Sequence, residues 1–161
     1  MAIQSPALIT VVISCYNHGR FLPTAIESVL AQNYQYKEII VVDDGSTDNT
    51  KEIALDYPSV RYVYQSNSGL SAARNKGIAE SSGNYILFLD ADDWLLPDAL
   101  SINYKFLENH PNVAFVSGGF EIVKESTQQV IKMQSSVERQ HFNRLLEFNY
   151  ISMVANRKSV V

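Results

Sequence analysis

Residues 38–48 read Glu-Ile-Ile-Val-Val-Asp-Asp-Gly-Ser-Thr-Asp. The first half is short, apolar and rich in β-branched residues, which is typical of a strand covered on both faces of a sheet. The Gly-Ser pair predicts a turn, and a helical pattern extends from about Asp48 to Asp56. A strand, a turn and a helix form the unit from which α/β folds are built.

The same unit recurs on both sides of this stretch. We predict further strands at Leu8–Ser14, Val60–Tyr64, Tyr85–Leu89 and Val113–Val116, and helices at Arg20–Gln32, from Leu70 to Gly83, and from Pro97 onward. Strands that alternate with helices predict a doubly wound, mostly parallel sheet with helices on both faces, as in a Rossmann-like α/β fold.

The alternation weakens beyond Gly118. We predict a strand at Phe120–Val123, a polar loop at Lys124–Ser136, a helix at Val137–Phe148 and a last strand at Ile151–Val154. The C-terminal part therefore looks like an incomplete continuation of the fold.

Length, composition and charge exclude several classes of protein. The 161 residues suit one domain, and 46% hydrophobic against 19% charged residues argues against global disorder. The net charge of −4 lacks the basic excess of a nucleic-acid-binding protein. The single cysteine, Cys15, excludes an intramolecular disulfide and a thiolate zinc cluster. No apolar run reaches the roughly 20 residues needed to span a bilayer.

Polar residues follow three of the predicted strands, at 14–17, 43–46 and 90–93. Ligands of doubly wound sheets bind outside the carboxyl ends of the strands. Asp90, Asp92 and Asp93 place three carboxylates together, and such a cluster usually holds a divalent cation or shares protons. Oxygen ligands suit Mg²⁺ or Mn²⁺. The alternative is an acidic turn that caps the helix at Pro97.

The other two strand ends suit a nucleotide. Asp43 and Asp44 offer a carboxylate to a pyrimidine N–H, or else form a turn before a capped helix. Tyr16 could stack on a base and Asn17 could bond it, although a tyrosine there is more often packing. Arg74, early in its helix, suits a diphosphate or is a surface arginine. The three histidines show no metal-binding spacing, and we interpret them as structural.

Together and in this order, the motifs resemble the nucleotide-sugar-binding part of family 2 glycosyltransferases, which have the GT-A fold. The resemblance rests on Val11–Asn17, Ser28–Gln32, Val42–Asp48, Gly69–Gly77 with Ala73-Arg-Asn75, and Phe88–Asp93 with Pro97. It implies one domain over 1–161, with a nucleotide-sugar-binding core at 7–117 and the start of an acceptor-side region at 118–161. The family's domain would continue beyond this chain.

The resemblance also implies a role for each matching residue. Asp44 would be the partner of the nucleobase, with Ser14 and Tyr16 beside it. Asp92 would lie near the ribose and diphosphate, Asp93 would be the main ligand of Mn²⁺ or Mg²⁺, and Asp90 would belong to the same metal cluster. Arg74 would lie near the nucleotide. The general base would lie in an acidic motif beyond Val161.

The activity that the resemblance implies is transfer of a sugar, with inversion, from a nucleoside-diphosphate sugar to an acceptor hydroxyl. We expect a UDP-sugar as the donor and a saccharide or lipid-linked molecule as the acceptor. The product would belong to polysaccharide or cell-envelope synthesis. We expect no nucleic-acid partner and a cytoplasmic location, with peripheral contact at the inner face of the membrane as an option. The alternative function is a non-catalytic nucleotide-sugar-binding module, since no general base is visible.

Two other classes fit less well. A phosphate-receiver domain would place its acidic pair after the first strand, whereas here the acidic residues follow the second and fourth. A nucleotidyltransferase would carry a Gly-rich basic loop after its first strand, and His18-Gly19-Arg20 is a poor substitute.

Overall fold

The computed structural model describes residues 6–118, 120–124, 126–127, 129–134 and 154–157. Its strands are β1 Ile9–Cys15, β2 Lys37–Asp43, β3 Val60–Tyr64, β4 Tyr85–Asp90, β5 Phe115–Ser117, β6 Phe120–Lys124, β7 Gln129–Gln134 and β8 Val154–Arg157. Its helices are α1 Leu22–Leu30, α2 Thr50–Leu55, α3 Leu70–Glu80 and α4 Ala99–Asn109. No described helix has the length and apolar character that crossing a membrane requires.

Six strands form the main sheet in the order β3-β2-β1-β4-β8-β5. β1, β2, β3 and β4 pair in parallel, and β8 pairs antiparallel with both β4 and β5. β6 and β7 form a separate antiparallel pair. The predicted doubly wound, mostly parallel α/β sheet is confirmed.

The sheet separates two apolar clusters because side chains alternate between its faces along each strand. Residues such as Val11, Ile13 and Leu87 pack against α1 and α4 on one face. Val12 and Ile86 pack against Ala73 of α3 on the other. We call these the α1 face and the α3 face.

α3 lies close to the sheet because its contact residue is Gly77. A Cβ atom at this position would lie 2.2 Å from Cγ1 of Val12, far inside contact distance. The close approach fixes the height of α3 above β1, and with it the position of Arg74 one turn earlier on the same helix.

The structure corrects the sequence predictions mainly beyond residue 117. The polar segment predicted as a loop at 124–136 contains β7. The last described strand is Val154–Arg157, which contains the final residue of the strand predicted at Ile151–Val154. Residues 151–153 lie outside the described part, as does the helix predicted at 137–148.

Candidate functional site

Three predicted site residues lie on the α3 face at the carboxyl ends of neighbouring strands. Ser14 pairs in register with Asp90, so the two side chains are neighbours on β1 and β4. Asp44 comes one residue after the end of β2, two residues beyond Val42, which packs on this face. Arg74 approaches from α3 above them. The sheet and one helix thus bring together groups that are far apart in the sequence.

Arg74 is held by two residues of β4. Its Nη2 donates to Oδ1 of Asp90 at 3.0 Å, and its guanidinium carbon lies 5.7 Å from the ring centroid of Phe88. The side chains of Arg74 and Asp90 are each 36% exposed, so the ion pair borders on solvent.

Two buried polar atoms at this site have no hydrogen-bond partner: Oγ of Ser14 and Nε of Arg74. Among the described residues they are the only buried side-chain nitrogen or oxygen atoms in that state. Because a buried polar group without a partner costs about 1–3 kcal/mol, such atoms usually have a ligand or water to bind.

Asp44 is almost completely buried and organises the loop before α3. Its carboxylate accepts hydrogen bonds from Nε2 of Gln65 at 2.6 Å, from the Ser68 amide at 2.9 Å and from the Gly69 amide at 2.8 Å. Burial alone would raise the pKa of Asp44, but these three hydrogen bonds outweigh it and lower the pKa. A carboxylate has about four acceptor positions, which leaves one for a ligand.

The loop before α3, which Asp44 holds, also packs against the turn that follows Asp44. Gly45 has φ +83°, and a Cβ there would lie 2.7 Å from the Asn67 amide nitrogen. Both the dihedral angle and the close contact therefore require glycine.

Asp43 lies on the α1 face, away from these residues. One of its oxygens accepts a hydrogen bond from the Ser46 amide at 2.8 Å, and the other accepts from the Tyr62 hydroxyl at 2.7 Å. Burial raises the pKa of Tyr62, and the bond to Asp43 raises it further. The structure thus bonds Asp43 to the turn and to β3, on the face opposite Asp44, and its part in nucleotide binding stays a prediction.

Tyr16 and Asn17 follow β1 and differ in their surroundings. Tyr16 is 49% exposed, so its ring is open to a stacking partner. Asn17 has φ +54°, and its side-chain oxygen accepts a hydrogen bond from the Thr47 amide at 2.8 Å. Its own amide donates to Oγ of Ser46 at 3.0 Å. Asn17 therefore ties two loops of the site together.

The acidic residues after β4 do not form a ready-made metal cage. Among the described residues no three His, Cys, Asp or Glu side chains converge in a way that could hold an ion. Asp90 pairs with Arg74, and Asp92 lies 3.9 Å from Nδ1 of His18. Desolvation raises the pKa of Asp93, and the charges of Asp92 and Asp90 raise it further.

A cation fits this set in its chemistry. Asp93 carries an electrostatic cost that a positive ion would relieve, and the donors are all oxygens, as Mg²⁺ and Mn²⁺ prefer. Asp93 and Asp92 can offer two ligands, and a diphosphate could supply others.

Comparison with known proteins decides the family. The sequence model described as glycosyl transferase family 2 matches residues 10–159. The chain belongs to glycosyl transferase family 2. This confirms the family inferred from the motifs.

Individual relatives of this family 2 chain agree. Glycosyltransferase GlyA of Streptococcus pneumoniae is 43% identical over 101 residues, which cover 60% of this chain and 14% of GlyA. S. aureus TarS 1–349 in complex with UDP-GlcNAc has a TM-score of 0.71 at 20% identity, covering 91% of this chain and 44% of that one. Mannosyltransferase PcManGT from Pyrobaculum calidifontis, in complex with GDP-Man and Mn²⁺, has a TM-score of 0.66 at 19% identity, covering 96% and 45%. At that identity the two structures show a shared fold, and the chain spans less than half the length of each of these three proteins.

Sequence reasoning missed four residues of the site in this family 2 chain. Gln65 and Ser68 hold Asp44 over long sequence separations, which no local pattern signals. His18 lies beside Asp92, a proximity that its isolated position in the sequence does not signal, and its interpretation as structural stays a prediction. Trp94 follows Asp93 directly and is 40% exposed, and an exposed tryptophan next to an acidic cluster was a readable signal.

Proposed function

We propose that this chain binds a nucleoside-diphosphate sugar at the α3-face strand ends and, in the whole protein, transfers its sugar to an acceptor hydroxyl. The observation that carries the proposal is the pair of buried, unbonded atoms, Ser14 Oγ and Arg74 Nε, in a chain of glycosyl transferase family 2. UDP is the preferred nucleotide, since TarS, which shares the fold, is described with UDP-GlcNAc.

The nucleoside would lie between Tyr16 and Asp44. Asp44 has one acceptor position left for an N–H of the base, and the exposed ring of Tyr16 would stack on it. Ser14 and Arg74 would receive polar atoms of the nucleotide, with Asp92 near the ribose and diphosphate. Asn17 and Asp43 would contribute by holding the surrounding loops.

Asp93, with Asp92, would hold the divalent cation, Mn²⁺ or Mg²⁺. When bound, such an ion neutralises the charge that develops on the departing diphosphate. The Mn²⁺ complex of PcManGT supports a metal in this fold. Arg74 lies at the same strand ends, and its guanidinium would also stabilise the negative charge of the diphosphate.

Transfer forms a bond between the acceptor oxygen and the anomeric carbon and breaks the bond from that carbon to the diphosphate. The acceptor proton must go to a general base, which contributes about 10²- to 10⁴-fold in rate. Inversion of configuration follows from a single displacement. The identity of the base stays a prediction.

The wider assignments are proposals of the same kind. We propose a nucleotide-sugar-binding core at 7–117 and the start of an acceptor-side region at 118–161. A saccharide or lipid-linked acceptor, a role in polysaccharide or cell-envelope synthesis, and a cytoplasmic location with peripheral contact at the inner membrane face would accompany them.

Calorimetric titration tests donor binding. UDP and UDP-GlcNAc should bind with Mn²⁺ and lose affinity in EDTA, while GDP and dTDP should bind more weakly. Asp56→Asn serves as a matched control, because this exposed carboxylate at the end of α2 lies outside the site. Equal affinities with Mn²⁺ and with EDTA would overturn the metal role, and absence of binding by every nucleotide would overturn the function.

A transfer assay separates the enzyme from a binding module. Donor consumption and glycoside formation should be compared between this chain and a longer protein that contains it. Binding without transfer by either protein would favour a non-catalytic module. Efficient transfer by this chain would show that the base lies within residues 1–161.

A further inference from the structure

Asp90 has two possible partners at this site. The family resemblance groups it with Asp92 and Asp93 as a metal ligand. The structure instead pairs its Oδ1 with Nη2 of Arg74 at 3.0 Å. The two roles differ in what the carboxylate does, because a metal ligand binds the cation directly whereas a positioning residue acts through Arg74.

The backbone favours the pairing with arginine. Asp90 is the last residue of β4 and stands in register with Ser14, on the face that α3 covers. Arg74 reaches this face from α3, which Gly77 holds close against Val12 of the neighbouring strand. The pair thus joins a sheet residue to a helix whose position is fixed by packing.

The consequence for Arg74 lies in which of its nitrogen atoms are used. A guanidinium has five N–H donors and no acceptor, so each N–H can bind only an acceptor atom. Nη2 serves Asp90, whereas Nε is buried and has no partner. The Asp90 contact together with the stacking of Arg74 near Phe88 limits the rotation of the fork, so Nε keeps one orientation.

Ser14 adds a second group to the same place. Its Oγ is buried and unbonded, and the residue pairs with Asp90 across β1 and β4. A hydroxyl can donate as well as accept, so Ser14 Oγ and Arg74 Nε can both serve one kind of ligand atom, an acceptor oxygen. Oxygens of that kind are abundant in a nucleoside diphosphate.

We propose that Asp90 is a positioning residue for Arg74 and does not ligate the metal. Its carboxylate orients the guanidinium so that Nε, beside Ser14 Oγ, binds an acceptor oxygen of the nucleotide. The inference rests on the proposed function for the ligand, and it removes one of the three carboxylates from the expected metal set. The cation then depends on Asp93 and Asp92.

A double-mutant cycle on the full chain tests this assignment. The variants are Asp90→Asn, Arg74→Gln, the combination of the two, and Asp93→Asn, with Asp56→Asn as the control. UDP affinity is measured by calorimetry and by the fluorescence of Trp94, the one tryptophan in the chain. Each measurement is made once with Mn²⁺ and once with EDTA. Mn²⁺ binding without nucleotide is measured by electron paramagnetic resonance.

We expect Asp90→Asn to lower UDP affinity three- to tenfold. The factor should be the same with Mn²⁺ and with EDTA. In the Arg74→Gln background it should have no further effect, because residues that act through one contact are not additive. Mn²⁺ affinity should be unchanged in Asp90→Asn and lowered in Asp93→Asn. Arg74→Lys should not restore binding, since an ammonium cannot present a forked pair of donors.

Three results would overturn the assignment. One is an effect of Asp90→Asn that vanishes in EDTA. Another is an effect that adds to that of Arg74→Gln, and the third is loss of Mn²⁺ binding in Asp90→Asn. These outcomes leave the proposed function standing, because the unmodified chain still binds UDP. A chain that binds no nucleotide would overturn both proposals. Circular dichroism of each variant checks that the fold is retained.

Discussion

The two faces of the sheet differ in how fully their polar groups are hydrogen-bonded at the strand ends. On the α1 face, each carboxylate oxygen of Asp43 accepts one hydrogen bond from within the protein. Near that face Asp48 binds the Gly19 amide and both the amide and hydroxyl of Thr50. On the α3 face, Ser14 Oγ and Arg74 Nε are unbonded, and after β4 Asp93 lies among like charges.

This difference distinguishes groups that are bonded within the fold from groups that, under the proposed function, bind a ligand. Asp43 and Asp44 are adjacent, yet alternation along the strand sends them to opposite faces. Both oxygens of each carboxylate accept hydrogen bonds, from two donors at Asp43 and from three at Asp44. The faces differ instead in Ser14 Oγ and Arg74 Nε, which are unbonded on the side of Asp44. Under the proposed function, Asp43 is structural and Asp44 binds the nucleotide.

The largest effect should come from Gly77→Ala, which tests whether the α3 face depends on the height of its helix. The added Cβ would overlap Val12, and overpacking of this kind costs about 3 kcal/mol. Chemical denaturation should show the lower free energy of unfolding, and UDP affinity should fall because Arg74 moves. Ala72→Ser in the same helix is the control. Unchanged stability would show that the sheet gives way easily.

Asp44→Ala should weaken UDP binding about ten- to hundredfold, since a charge-assisted hydrogen bond is worth about 1.5–3 kcal/mol. It should also lower stability, because Gln65, Ser68 and Gly69 lose their acceptor. Calorimetry and thermal denaturation measure the two effects. Gln65→Ala is the matched variant that removes one donor and keeps the carboxylate. An unchanged affinity for UDP in Asp44→Ala would place the base elsewhere.

Asp43→Ala should reverse that balance between binding and stability. It deprives the Ser46 amide and the Tyr62 hydroxyl of their acceptor, at a cost of about 1–3 kcal/mol in the free energy of unfolding. Metal-dependent UDP affinity, measured below the unfolding transition, should stay within about twofold of the parent. A loss of affinity as large as that in Asp44→Ala would abolish the distinction between the two faces.

Acid should destabilise the fold partly through Asp44. Its pKa is lower in the folded chain than the usual 3.8, so its stabilising contribution is present above that value and is lost as the pH falls through the folded pKa. Asp48 behaves in the same way. The acid limb of a stability curve below about pH 4 should therefore be flatter in Asp44→Asn than in the parent. A limb of equal slope would contradict the three-bond geometry.

The smallest change in stability should come from Asp93→Ala. This exposed carboxylate lies among like charges, so its loss should alter the free energy of unfolding by no more than about 0.5 kcal/mol and could raise it. The enhancement of UDP affinity by Mn²⁺ should disappear. Unfolding of this variant, seen as loss of its circular dichroism, would show that Asp93 is structural.

The sequence predicted the first nine elements well because their signals are local. Runs such as Tyr85–Leu89 are unbroken apolar stretches between turn residues, and β3 has the predicted bounds, Val60–Tyr64. β7 was missed because Gln129-Val-Ile-Lys-Met-Gln134 is rich in polar residues and gains its strand form from pairing with β6. That pairing leaves no strong mark in the segment itself.

For the candidate site, the sequence motifs indicated residues but not the hydrogen bonds between them. The motifs indicated Asp44, Arg74 and Asp90, yet the Arg74–Asp90 pair and the Gln65–Asp44 bond arise only when α3 and β4 are in place. The alternation of side chains along β2 did predict the face on which Asp43 lies, since Val41 and Asp43 share a face. That signal was available in the sequence and went unused.

The order of the strands has a consequence for how this edge of the molecule opens. β5 precedes β8 in the chain, yet in the described sheet it is bonded only to β8, which in turn is bonded to β4. Any opening that detaches β8 must therefore release β5 as well, while β3, β2, β1 and β4 keep their ladders. In a hydrogen-exchange experiment, every detachment of β8 would expose the β5 amides that are bonded to it. Those amides would therefore exchange at least as fast as β8 detaches, and the edge would separate as one unit.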